Sequence, residues 1–120
     1  MEIQFEFYEN GETKVAELLS RTLIHSAAEM LDIMMGAYYQ GASSLIIHQG
    51  HLSGSFFDLK TGVAGDILQK FSTYRMRLAI IGKFDNFSSK SLADFIRESN
   101  KFGRINFCGN IEEARLALSK

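Results

Sequence analysis

Ile3, Phe5 and Phe7 alternate with Gln4 and Glu6, the two-residue period of a half-buried strand. Asn10-Gly11 follows, a pair that favours a tight hairpin turn. Thr13 to Leu18 reads as the returning strand, so the chain is expected to open with an antiparallel hairpin. The period then lengthens. Met30, Ile33, Met34 and Ala37 fall at i, i+3, i+4 and i+7, one face of a helix. Ser26 and Glu29 open it at capping-box spacing, and it runs to about Gln40 with Gly41 as its C-cap. Leu45-Ile46-Ile47 is a short apolar run ending at His48, a buried strand. A polar loop containing Gly50 and Gly54 leads to a second helix, expected from about Lys60 to Tyr74, with Ala64, Ile67, Leu68 and Phe71 inward. Leu78 to Gly82 is a further buried strand. Ser88 or Ser89 caps a third helix with Leu92, Phe95 and Ile96 on its apolar face, and Gly103 ends it or lies just beyond. Ile105-Asn106-Phe107 is a short strand. Asn110 and Glu113 repeat the capping-box spacing and open a last helix through Ala114 and Leu118.

The order β-β-α-β-α-β-α-β-α predicts an α/β fold. A single-layer mixed sheet, made of the N-terminal hairpin plus parallel strands, is packed by about four helices. The length of 120 residues suits one domain, residues 1–120. No repeat, linker or low-complexity stretch divides it, and proline is absent.

The formal net charge of -1 supplies no basic excess to neutralise phosphates, which disfavours sequence-independent nucleic-acid binding. Cys108 is the only cysteine, so an internal disulfide is impossible. The opening residues Met1 to Phe5 have neither a basic nor an apolar leader region. No apolar run approaches the roughly 20 residues that span a bilayer. These features predict a cytoplasmic protein with no membrane partner.

Several residues carry candidate chemistry. Asp58, Lys60, Thr61 and Gly62 fall at the expected start of the second helix, where unpaired amides and the positive end of the helix dipole favour an anion or a partner's acidic group. Thr61 is the candidate phosphoacceptor there; helix capping by Asp58 or Thr61 accounts for the same pattern. Thr61-Gly62-Val63-Ala64-Gly65 lacks the lysine and hydroxyl pair of a P-loop. His48 and His51 flank Gln49-Gly50 at a strand end, a candidate ligand site with Asp58 as a further member. Two histidines fall short of the three or four ligands of most metal sites, so no metal and no cofactor is predicted. Cys108 has no local base beside it, and no G-x-S-x-G elbow exists, so no catalytic set is assigned. Met35, Tyr38 and Tyr39 extend from the first helix toward a surface patch suited to a partner.

The run from Phe56 to Phe71, with Leu78 to Gly82, Ser89 to Leu92, Phe95 to Asn100 and Arg104 to Phe107, resembles the bacterial family called domain of unknown function 4180. The resemblance covers nearly the whole chain and implies no activity. The element order is more distantly similar to STAS domains, the fold of anti-anti-sigma factors. In that fold a hydroxyl residue followed by glycine at the second helix is phosphorylated in partner switching. Thr61-Gly62 takes the matching place, within Leu59-Lys60-Thr61-Gly62-Val63-Ala64 where the STAS motif has Asp-Ser-Ser-Gly-Leu-Gly. The resemblance implies a non-enzymatic regulatory protein-interaction module, phosphoregulated at Thr61. The alternative expectation is a small-ligand-binding domain or an enzyme whose site gathers His48, His51 and Asp58. A homo-oligomer formed through an edge strand carrying Phe5 and Phe7 is a third.

Overall fold

The computed structural model describes residues 3–85 and 89–119. Strands β1 (Phe5–Asn10) and β2 (Thr13–Leu18) form the antiparallel hairpin. Gly11 sits in its turn at φ +71°, a conformation that glycine adopts without a Cβ clash. Helix α1 (Ala27–Tyr38) leads to β3 (Ser44–His48). A short helix α2 (Gly54–Phe57) and helix α3 (Val63–Thr73) precede β4 (Arg77–Ile81). Helix α4 (Lys90–Phe102), β5 (Ile105–Cys108) and α5 (Ile111–Leu118) complete the chain. The five strands lie in the order β1-β2-β3-β4-β5, and every pairing after the first is parallel. The expected α/β architecture and element order are therefore present.

Strand alternation sorts the core into two faces. Ala16, Leu18, Leu45, Ile47, Leu78 and Ile80 pack against Met30 and Met34 of α1 and Ile67 and Phe71 of α3. Phe95 and Ile96 of α4 join the same side. All three crossover helices thus cover one face. On the other, Val15, Ile46, Ala79 and Cys108 pack with Ala114 and Leu118 of α5. That single short helix packs on β4 and β5 and reaches toward the hairpin, where the Arg115 guanidinium lies 4.4 Å from the Tyr8 ring centroid.

The helix ends follow their sequence signals closely. Ser26 accepts from the Glu29 amide, but the Glu29 carboxylate accepts from the His25 amide, one residue earlier than a closed capping box requires. The last helix repeats this: Asn110 accepts from the Glu113 amide, and Glu113 accepts from Gly109. At the end of α1, Gly41 donates to Tyr38 and Ala42 to Ala37, the paired bonds of a Schellman motif, with Gly41 at φ +96°. Ser89 caps α4 by accepting from Leu92; Ser88 lies outside the described residues. Arg77 donates to the Gly103 and Ala117 carbonyls, tying the C-terminal ends of α4 and α5 to the start of β4.

Three local expectations are corrected. Ile3 precedes β1 rather than belonging to it. The helix expected from about Lys60 begins at Val63, because Gly62 takes φ +80° and interrupts the helical path. Leu59–Thr61 forms a separate 3-10 turn. The loop before it is not plain coil either, since it holds a 3-10 turn at Gln49–His51 and the short α2. Among the described residues, no helix is long and apolar enough to cross a membrane.

Candidate functional site

Two of the sequence candidates share a groove of about 670 Å3, lined among others by Glu17, Leu19, Arg21, Leu23, His48 and His51. It lies beyond the carboxyl ends of β2 and β3, the end of a parallel sheet where α/β proteins bind ligands. The strand register builds one wall. Glu17 pairs with Ile46, so His48, two residues on, is its diagonal neighbour on the same face. His48 Nε2 and Glu17 Oε2 are 3.2 Å apart, with 46% and 17% of their side chains exposed.

His51 has a different task. Its Nδ1 accepts from the His48 amide at 2.9 Å, which leaves the ring proton on Nε2, 3.0 Å from the Ser20 carbonyl that accepts it. Both ring nitrogens are thus committed to backbone, and the residue is 9% exposed. Burial pushes the imidazole below its ordinary pKa, outweighing the opposite pull of the Ser20 carbonyl. Ile24 extends the same junction by donating to His51 and accepting from Ser53. His51 therefore pins the segment after β2 to the turn after β3, and presents neither nitrogen to a ligand. The expected gathering of His48, His51 and Asp58 is only partly met: Asp58 does not line the groove. Among the described residues, no group of three or more His, Cys, Asp or Glu is arranged to hold a metal ion.

Asp58, Lys60, Thr61 and Gly62 form one continuous exposed or half-exposed turn before α3. The Asp58 carboxylate accepts from the Lys60 amide. The Thr61 hydroxyl faces the Ser55 carbonyl at 2.6 Å and the Asp58 carbonyl at 2.9 Å, and shares its one proton between them. Its oxygen also accepts from the Val63 amide at 3.2 Å. Thr61 is therefore a three-way tie that closes the turn. Asp66 lies in the first turn of α3.

A second cavity, of about 700 Å3, opens beside β5 between α4 and α5, with Lys101, Arg104, Cys108 and Glu113 in its lining. Burial and the Glu113 carboxylate push the Cys108 thiol up to about 11, so it stays protonated at neutral pH and is a weak nucleophile. Tyr38 and Tyr39 are exposed, whereas Met35 is half-buried against the core. His25 is a surface residue.

Sequence reasoning missed Glu17, Leu19, Arg21 and Leu23. The strand period was the signal for Glu17, since it alternates with the buried Ala16 and Leu18. Nothing in the spacing places the three loop residues opposite His48.

A family model described as domain of unknown function (DUF4180) matches residues 10–118. No curated protein and no solved structure matches the chain.

Proposed function

The chain belongs to the family domain of unknown function (DUF4180), a membership that carries no activity, and we propose that it is a non-enzymatic regulatory module that binds other proteins through a surface switched at Thr61. The observation that carries this reading is the hydroxyl tie at an accessible position. A phosphoester oxygen has no proton, so a phosphate on Thr61 would end the bonds to the Ser55 and Asp58 carbonyls. It would also add roughly two negative charges to a turn that already holds Asp58, with Asp66 close behind in sequence. The 54–63 segment must then rearrange, and the surface offered to a partner changes with it. The likeness of the element order to STAS domains supports the same reading, because Thr61-Gly62 directly precedes α3.

The test compares Thr61→Ser, Thr61→Ala and Thr61→Glu with the wild type by amide NMR and by quantitative pull-down from the native lysate. The serine variant keeps the tie and should keep both the spectrum and the captured proteins. Glutamate should move the amide signals of residues 54–63 and lose or exchange a partner. Identical capture by all four proteins would end the proposal.

A further inference from the structure

The groove at the ends of β2 and β3 is a separate site, independent of the Thr61 reading. We propose that it binds a compact zwitterion with an aliphatic body, the chemistry of an α-amino acid such as leucine. Its volume of about 670 Å3 falls within the roughly 300–1,000 Å3 of small-molecule sites. Leu19 and Leu23 remain 50% and 47% exposed in a wall otherwise anchored by backbone bonds through His51 and Ile24. They offer a fixed apolar surface that gains by being covered.

The polar groups divide by sign. Glu17 is the acid: its Oε2 faces His48 Nε2, and its Oε1 accepts from no described residue. Arg21 is the base: it is exposed and makes no ion pair with any described residue. An ammonium group matches the open side of Glu17, and a carboxylate matches the planar fork of Arg21. The isobutyl group, branching from the carbon that carries both charges, lies on the leucines. A simple fatty acid would leave Glu17 Oε1 without a donor, its Oε2 alone meeting His48, and a simple amine would leave Arg21 unused. Both charges together therefore specify the ligand class.

The experiment titrates isotope-labelled protein with three probes of matched shape: L-leucine, 4-methylpentanoate and 3-methylbutylamine. Leucine is expected to give saturable shifts at Leu19, Arg21, Leu23 and His48, and to bind at least about tenfold more tightly than either single-charge probe, the loss expected for one charged hydrogen bond. Arg21→Ala, a change at an exposed side chain, should weaken leucine by a similar factor while leaving the amine unaffected. Glu17→Gln keeps an acceptor for His48 and should weaken leucine without altering the unliganded spectrum elsewhere. The proposal is overturned by equal binding of the three probes, by shifts confined to another part of the surface, or by no saturable shift up to roughly 10 mM.

Discussion

At the scale of single residues, the tightest constraint is a missing side chain. A Cβ at Gly82 would lie 2.6 Å from the Cβ of Gln49 and 3.0 Å from Phe84 Cζ, and it would meet Gln49 Oε1. That oxygen accepts from the Lys83 amide at 3.0 Å. Gly82 has no positive φ, so the conflict is steric alone. Gly82→Ala is expected to cost about 1–3 kcal/mol, the range for overpacking a closed site. Urea unfolding of the variant measures it, and a midpoint equal to the wild type would mean that the backbone at Gly82 or Gln49 shifts at no cost. Nothing in the sequence marks this glycine, which reads there as the end of a strand. Its importance comes from Gln49, which lies 33 positions earlier in the chain and returns beside it only after β3 and β4 pair. The partner of Glu17 is illegible for the same reason: alternation gives its face, but only the register with β3 brings His48 beside it.

Among the elements, β5 has a protected edge. Leu78 donates to Arg104, and Gly82 to Cys108, so alternation turns the Phe107 amide and carbonyl away from β4. The Asn100 side chain meets both, accepting from the amide at 2.6 Å and donating to the carbonyl at 3.4 Å. It occupies the place of a sixth strand. Asn100→Ala is expected to destabilise the protein by about 1–2 kcal/mol through the unpaired Phe107 amide and to promote self-association through the bared edge. Denaturation and sedimentation velocity check the two effects separately. The His51 pin adds a pH dependence between two loops. An unfolded histidine takes up its proton near pH 6.5, and the folded one does so lower because it is buried. The unfolded chain therefore binds the proton first, and stability that is complete above that value falls as the pH drops through the folded pKa. His51→Gln, which can keep a donor and an acceptor, should flatten that part of the profile when unfolding midpoints at roughly pH 7 and pH 5 are compared. An unchanged slope would show that His51 does not carry it. The regular elements were readable because their periods and caps are local, from Phe5 and Phe7 to Asn110 and Glu113. The 49–53 stretch was not, because it is held by His51 to Ser20 and by His51 and Ser53 to Ile24 across the fold.

For the whole molecule, chain order and spatial order coincide. Strands succeed one another from β1 to β5 without a skip, and the crossover helices share one face. The α/β class follows from the alternation of periods. The uneven covering of the two faces does not, since an eight-residue helix with a buried Ala114 and Leu118 looks in sequence like any other. The unbroken succession bears on how the protein is made. Each strand joins a rim that its predecessor has just created, so none has to be inserted between two that are already paired. Each step closes only the loop of one crossover. During synthesis from the N-terminal end, the hairpin and β3 can therefore pair fully while β4 and β5 are still inside the ribosome. An interrupted chain would lose strands from one rim and leave no gap within the sheet.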